Sequence, residues 1–391
     1  FGPGKRFGNF GAIGAAWLFS EESFLQSLSF LSFGKLRGSY GSTGSDNIGD
    51  YRYLNTYSVT GQNYDDATII EPTGVFNPVF GWETNRKLEA ALELSFLKDH
   101  IILNTSWYRN RSSNQLVGIP LAATTGFSSM TGNFDATVEN TGWEFDFRSV
   151  NFKNSDFKWT TTFNLSLPKN KLIAFPGLES STFSNRYIIR KPLTMVRLYH
   201  SLGVDPETGL YEFEDYNEDG EIRPLDDKQW IEDLAPKFFG GLGNTLTYKN
   251  FTLDFFFQFK KQKAYNQYRG ANSAPGFMEN KPSSLFDRWQ NVGDIAPIMK
   301  STASLISVGP TRGYFSESNA VISDASYVRL RNVTLTYKVP NTLTRGLNAN
   351  VYIQGQNLLT ITNYDGPDPE QDSQLTLPPL RQITLGAQLT F

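Results

Sequence analysis

LRQITLGAQLTF, residues Leu380 to Phe391, closes the chain. Taken every second residue, one side reads Ile383, Leu385, Ala387, Leu389 and Phe391, and the other Gln382, Thr384, Gly386, Gln388 and Thr390. A two-residue period sends successive side chains to opposite faces, so this stretch is a strand with one apolar and one polar face. It fits a soluble sandwich, whose apolar face turns into a core. It equally fits an outer-membrane barrel, whose apolar face turns to lipid and whose polar face lines a watery interior. The connections between the other strands decide which.

The 391 residues include 31 Phe, 18 Tyr and 33 Gly, and the mean hydropathy is −0.37. That balance suits alternating strands joined by long polar loops. With no cysteine, disulfides and thiolate metal sites are excluded. A net charge of −3 gives no electrostatic reason to expect a nucleic-acid partner. No run of about 18 apolar residues is present, which excludes a helical membrane span and leaves a barrel open. The opening FGPGKRFGNFGAIG has no charged leader, apolar block and small-residue cleavage site. It starts within a strand-like pattern, so Phe1 is expected not to be a natural start and the chain to be the later part of a longer exported protein.

Outward from the closing strand, alternation predicts a first strand near Asn9 to Leu18, a turn or short helix over Ser20 to Ser32, and a strand over Phe33 to Ser42. In the latter, Lys35, Arg37 and Ser39 oppose Leu36 and Tyr40. Further strands fall at about Arg86 to Phe96, Ile101 to Asn110, Val138 to Val150, Phe157 to Leu167, Phe238 to Tyr248, Phe251 to Phe259, Tyr327 to Tyr337 and Asn350 to Leu359. Trp143, Phe145 and Phe147 oppose Glu144, Asp146 and Arg148, and the row Phe251, Leu253, Phe255, Phe257 and Phe259 is nearly all aromatic. Connections alternate. KDH at Lys98 to His100, KNSD at Lys153 to Asp156, Lys249 and Asn250, and Val339 to Ala349 are short or moderate, whereas 43–85, 111–137, 168–237, 260–326 and 360–379 are long. Met195 to Phe213 reads as a hairpin inside one long loop. Short turns at one end and long loops at the other mark an all-β transmembrane antiparallel barrel with periplasmic turns and extracellular loops. The count is about eleven strands, an odd number where single-chain bacterial barrels have an even one, so the chain is expected to supply part of a barrel.

Several stretches resemble the carboxy-terminal half of SusC/RagA-type TonB-linked outer-membrane transporters of Bacteroidetes. They are AAWLFSEESF (Ala15 to Phe24), LRGSYGSTGSDNIGDYRYL (Leu36 to Leu54), NPVFGWETNRKLEAALELSFL (Asn77 to Leu97), VENTGWEFDF (Val138 to Phe147) and WTTTFNLSLPKNKL (Trp159 to Leu172). DYNEDGEIRPLDD (Asp215 to Asp227), APKFFGGLGNTLTYKNF (Ala235 to Phe251), ASYVRLRNVTLTYKVP (Ala325 to Pro340) and VYIQGQNLLTITNYDGPDPE (Val351 to Glu370) continue the series in family order. The resemblance implies a barrel of about 22 strands closed by an amino-terminal plug. It also implies import of oligosaccharides or peptides with energy relayed by TonB, and a SusD-like surface lipoprotein as lid. The barrel would lie in the outer membrane of a Gram-negative bacterium, against membrane lipid, with its carboxy-terminus periplasmic. The whole span 1–391 then belongs to the barrel, and the plug and earlier strands lie outside it.

Two sets of residues are candidates for binding. Asp215, Asn217, Asp219, Glu221 and Asp226 match the calcium-loop pattern of oxygen donors at positions 1, 3, 5, 7 and 12 around a glycine at 6, here Gly220. Hard oxygen donors around a tight turn suit calcium, and Asp at the last position shortens the usual bidentate arm. The bland reading is a polar loop held by its own Asx turns, and either reading makes it a clamp on an extracellular loop. Loop aromatics Tyr51, Tyr53, Tyr265, Tyr268, Trp289 and Tyr314 lead a set of sugar-stacking candidates that also includes Tyr57, Tyr64, Phe76 and Tyr364. For any one of these the bland reading is loop packing or the interfacial aromatic girdle.

No enzyme is expected. His100 and His200 are the only histidines and stand outside any nucleophile-elbow or HExxH pattern, and Glu144 and Asp146 read as wall charges beside Arg148 rather than a glycosidase pair. The mixed charges Lys35, Arg37, Lys87, Glu89, Glu93, Glu144, Asp146 and Arg148 are expected to face a plug and argue against strong anion or cation selectivity. A passive porin and a soluble β-rich glycan-binding protein are the competing classes.

Overall fold

The computed structural model describes residues 1–45, 53–65, 67–269, 275–276, 280–281, 283–304, 308, 310–340, 342–344, 347–371 and 376–390. Eleven strands form one sheet: β1 (Gly11–Trp17), β2 (Leu31–Ser45), β3 (Glu83–Phe96), β4 (Ile101–Ser113), β5 (Thr137–Lys153), β6 (Phe157–Ala174), β7 (Phe238–Tyr248), β8 (Phe251–Lys261), β9 (Tyr327–Val339), β10 (Asn348–Thr362) and β11 (Gln382–Thr390). Each is hydrogen-bonded to the next in chain order, a pure antiparallel meander. Connections after the odd-numbered strands are short or moderate, from Lys249 and Asn250 between β7 and β8 to residues 18–30 between β1 and β2, and the connections after even-numbered strands are longer. Among the described residues no helix is long and apolar enough to cross a membrane.

Two compact units make up the chain, Phe1–Phe145 with Pro168–Leu193, and Asp146–Leu167 with Thr194–Phe391. In the first, Ile13 pairs with Tyr40, Trp17 with Leu36 and Leu36 with Leu92, which builds a continuous apolar face. On the other face Lys35 pairs with Glu93 and Ser39 with Glu89, as alternation predicts. Gly142 lets the Tyr108 ring lie flat there, because a Cβ would sit 2.6 Å from its hydroxyl oxygen. Beside β5 and β6, Ala136, Val138, Leu172 and Phe175 form a buried cluster packed by Phe134, Phe183 and Tyr187.

In the second unit the aromatic row of β8 is matched across its neighbours: Phe257 pairs with Leu242 and Leu330, and Leu253 with Leu246 and Leu335. The sequence of β9 is out of phase with itself, Val328 and Leu330 having one parity and Val333, Leu335 and Tyr337 the other. A bulge at Arg331 absorbs the slip: Asn332 faces Phe256, but Leu330 faces Phe257. Strand β10 answers it with Asn357 and Leu358 between the partners of Asn332 and Leu330, and Asn357 takes a left-handed φ of 52°. Asparagine enters that region at little steric cost. Both strands thereby keep one unbroken apolar face.

The loops hold more order than the sequence reading allowed. Hairpins occur at Tyr57–Tyr64 with Ala67–Pro72 and at Gln115–Pro120 with Ser129–Phe134. The expected Met195 to Phe213 hairpin is corrected: Met195–Leu198 pairs with Trp230–Asp233, and only Ser201–Val204 pairs with Tyr211–Phe213. Pairing across that longer separation is not visible to local alternation.

Gly240 gives a direct test of how tightly β6, β7 and β8 approach. A Cβ there would lie 2.1 Å from the Asn164 carbonyl oxygen and 2.7 Å from the Phe259 ring, whereas at Gly38 the nearest atom would be 3.5 Å away. Gly240→Ala should cost about 1–3 kcal/mol by overpacking, and Gly38→Ala should stay within about 0.5 kcal/mol of the parent. Urea midpoints of the refolded protein in detergent micelles would distinguish the two.

Candidate functional site

The most concentrated polar cluster lies on the second unit's polar face, where the bulge aims two arginines at one returning loop. Arg329 is 1 % exposed. Its Nη2 meets Asp368 at 2.6 Å, its Nη1 meets Glu370 at 2.9 Å and its Nε meets Thr360 at 3.0 Å. Arg331 reaches both Glu370 oxygens at 2.8 and 2.7 Å, Gln258 Oε1 at 2.5 Å and Asn357 Oδ1 at 3.2 Å. Two guanidinium groups thus face two carboxylates, with Glu370 bridging both. Asp368 also accepts the Glu370 backbone N–H at 2.9 Å, and Gln262 donates to the Pro369 carbonyl at 2.6 Å. The stretch Gly366 to Glu370 is therefore clasped to the sheet wall. A cavity of about 210 Å³ lies beside it, lined by Arg329, Thr360, Asp368, Pro378 and Arg381 among others. The cluster holds and orients the returning loop.

Both contributing stretches belong to the family-like motif series, yet nothing local in them assigns these four charges a role. The available signal was Arg-x-Arg at a break in alternation, which places two cations where apolar pairing must slip. Their partners lie 39 to 41 residues away, and only the fold shows the match.

In the first unit, Arg37 bridges Glu89 at 2.5 Å and Glu93 at 2.9 Å, and Lys35 reaches Glu93 at 3.4 Å. The polar wall there also answers its own charges.

The predicted stacking aromatics fare unevenly. Tyr51 lies outside the described residues, and Tyr53 is half-buried. Tyr265 and Tyr268 pack on a loop core formed by Tyr211, Met299, Val308, Phe315 and Val321. Arg269 lies 3.6 Å from the Tyr265 ring centre, and the Tyr364 hydroxyl donates to the Tyr265 carbonyl. Tyr314 sits 4.9 Å from the Tyr199 ring and donates to the Ile222 carbonyl at 2.9 Å. The Trp289 indole lies over Gly209 and donates to the Pro206 carbonyl at 2.9 Å. Tyr57, Tyr64 and Phe76 are exposed. Burial pushes the Tyr199 and Tyr211 hydroxyls up from their ordinary range.

The Asp215 to Asp226 loop is closed by its own groups. Asp215 accepts the Gly220 N–H at 2.7 Å, Asn217 the Asp219 N–H at 3.2 Å, and Asp219 the Glu221 N–H at 2.8 Å. Arg223 reaches Asp219 at 3.0 Å and Glu221 at 2.5 Å. Asp227, fully buried, takes the Tyr216 and Arg223 N–H groups at 2.8 and 2.7 Å. Asp226 makes no such closure, and its backbone carbonyl accepts from Gln229. The Glu221 N–H, the Asn217 amide and the Arg223 guanidinium hold the Asp219 carboxyl below its usual range. Among the described residues no group of three or more His, Cys, Asp and Glu side chains is arranged to hold a metal ion. His100 binds the Leu97 carbonyl within its turn at 2.7 Å, and His200 pairs with Glu214 at 2.7 Å while stacking on Trp230.

A meander of long two-faced strands with short turns at one end and folded loops at the other is the wall architecture of outer-membrane proteins. No family model matches the chain. In sequence it is similar to TonB-dependent receptor P3 of Formosa agariphila, 27 % identical over 95 % of this chain and 39 % of that protein. It is likewise similar to TonB-dependent receptor SusC of Bacteroides thetaiotaomicron, 27 % identical over 100 % of this chain and 41 % of that protein. In fold it matches the RagAB peptide transporter with a TM-score of 0.82 at 23 % identity, covering 99 % of this chain and 44 % of that one. The RagAB peptide importer in its closed-closed state gives 0.83. The resemblance to SusC/RagA-type transporters read from the motifs is thus borne out, in sequence and in fold, and the chain spans less than half the length of the relatives it matches.

Removing one partner of the buried pair should be far costlier than trimming the outer arginine. Asp368→Ala leaves Arg329 buried and half-neutralised and should cost about 3–5 kcal/mol. Arg331→Met, at a group 27 % exposed, should cost about 1 kcal/mol or less. Urea midpoints of the two variants would check the order.

Proposed function

We propose that this chain is the later part of the barrel of a TonB-dependent outer-membrane importer that takes up oligosaccharides or peptides. Binding and gated passage, rather than chemistry, are its work. The observation that carries the reading is the eleven-strand meander with its apolar face, short turns at one end and self-folded loops at the other, in a chain whose relatives are TonB-dependent receptors. The loops are then extracellular and the carboxy-terminus periplasmic. A SusD-like surface lipoprotein closes over the loops, and TonB pulls on a plug supplied by another part of the protein.

Deleting the gene should abolish uptake of the cognate labelled oligosaccharide or peptide, and removing TonB should do the same with the protein still present in outer-membrane fractions. Uptake that persists without TonB would point to a passive porin. Recovery of the full-length protein in the soluble fraction would point to a soluble glycan-binding protein.

We also propose the Asp215 to Asp226 loop as a clamp that calcium closes, with Asp215, Asn217, Asp219, Glu221 and Asp226 as ligands once Arg223 swings aside. The support is that Asp215 Oδ1 is buried without a hydrogen-bond partner. Calcium at neutral pH should slow proteolysis within this loop, and should slow it further in Arg223→Ala. An unchanged cleavage rate in both would refute the cation. Because the Asp219 carboxyl is held below its usual value, it is ionised and able to ligate at neutral pH, and calcium protection should fade as pH falls below about 4.

A further inference from the structure

A recess of about 210 Å³ opens on the polar face of the second unit, where β6 to β9 run side by side, at mid-strand and towards the Lys249–Asn250 turn. Two cross-strand rows line it. In one, Thr162 pairs with Gly243, Gly243 with Phe256 and Phe256 with Asn332; in the other, Thr160 pairs with Thr245, Thr245 with Asp254 and Asp254 with Thr334. Residues paired across an antiparallel ladder share a face, so both rows turn into the recess together. Phe256 is out of place by composition: the other residues of its parity in β8 are Thr252, Asp254, Gln258 and Lys260. Its ring lies across two glycines. A Cβ on Gly241 would collide with the far edge of the ring, and one on Gly243 would lie 3.6 Å from it and 2.6 Å from the Thr162 hydroxyl oxygen. One ring face therefore covers bare backbone, and the half-buried ring lends the other to the recess.

The polar groups beside the ring are left open. Asp254 accepts from the Thr245 hydroxyl at 2.5 Å and meets no cation among the described residues. The hydroxyls of Thr160, Thr162 and Thr334 and the Asn332 amide likewise make no hydrogen bond among the described residues. Arg329 and Arg331 on the same face, by contrast, are answered by Asp368 and Glu370. One aromatic face, one carboxylate and four groups that both donate and accept complement a neutral sugar ring. Such a ring lays its apolar C–H face on Phe256, while the hydroxyls at its edge donate to Asp254 and exchange hydrogen bonds with threonine and asparagine. An ammonium group would use only the acceptors and leave the donors unanswered. The volume takes one ring, not a chain. We propose that this recess is a monosaccharide subsite on the wall of the passage, stacking one neutral pyranose on Phe256 with Asp254 and Asn332 on its hydroxyls. The inference rests on the importer reading above and within it narrows the cargo to carbohydrate.

The test applies saturation-transfer NMR to the full-length protein in detergent, with glucose, galactose, mannose and xylose as probes and with sorbitol and the tripeptide Ala-Lys-Ala as comparisons. At least one pyranose should receive saturation, strongest on its ring C–H protons, and open-chain sorbitol should not. Phe256→Leu and Asp254→Asn should each weaken that binding about tenfold, and Phe256→Tyr, which keeps the stacking face, should retain it. No saturated pyranose, equal saturation of sorbitol, unchanged binding in Phe256→Leu and Asp254→Asn, or a signal on the tripeptide alone would overturn the proposal. Labelling in intact outer membranes, in a background otherwise free of cysteine, tests the reading beneath it. Thr334→Cys should react with a water-soluble maleimide, and Leu335→Cys should not. A reactive Leu335→Cys would overturn the outer-membrane reading. If both are unreactive, the recess is covered and the sugar subsite alone is overturned.

Discussion

The backbone sets the terms for everything else here. A strand that presents a face to apolar surroundings cannot leave its N–H and C=O groups unpaired, because each unpaired group costs several kcal/mol. A meander answers this with the shortest connections available, each strand bonding to the one before and the one after. Strand β9 shows how strict the demand is. Its apolar residues slip by one position, and the ladder accommodates the slip by a bulge on β9 and a matching one on β10 rather than by turning apolar side chains to the wrong face.

That accommodation creates the polar cluster. Bulges re-aim side chains, and the one at Arg331 brings its guanidinium beside Gln258, Asn357 and Glu370. The loop after β10 returns its carboxylates to two cations the wall would otherwise leave unanswered. In the other unit Arg37 is likewise compensated by Glu89 and Glu93.

The loops are ordered in their own right. They carry hairpins, a buried cluster around Phe175 and another around Phe315, and an Asx-turn segment closed by Arg223 and Asp227. The predicted sugar platforms Tyr265, Tyr268, Tyr314 and Trp289 are chiefly drawn into this packing. Aromatic rings in long loops serve the loop's own core before they serve a ligand, because a loop of this length must bury apolar area to stay ordered.

Period-two alternation determined the eleven strands, their faces and the alternation of short and long connections, since strand side chains report their face directly in sequence. Strand Phe238–Tyr248 was legible to the residue, and others extend by a few residues because their ends go on pairing with the neighbouring strand past the alternating stretch. The motif series also made the family resemblance legible. What only the tertiary structure decided was every pairing at a distance: Met195–Leu198 with Trp230–Asp233, Arg329 with Asp368, Asp227 rather than Asp226 closing its loop, and the slipped register of β9 and β10. The reason is physical. Alternation is a local property written in neighbouring residues, whereas charge compensation and loop cores depend on which distant segments the meander brings side by side.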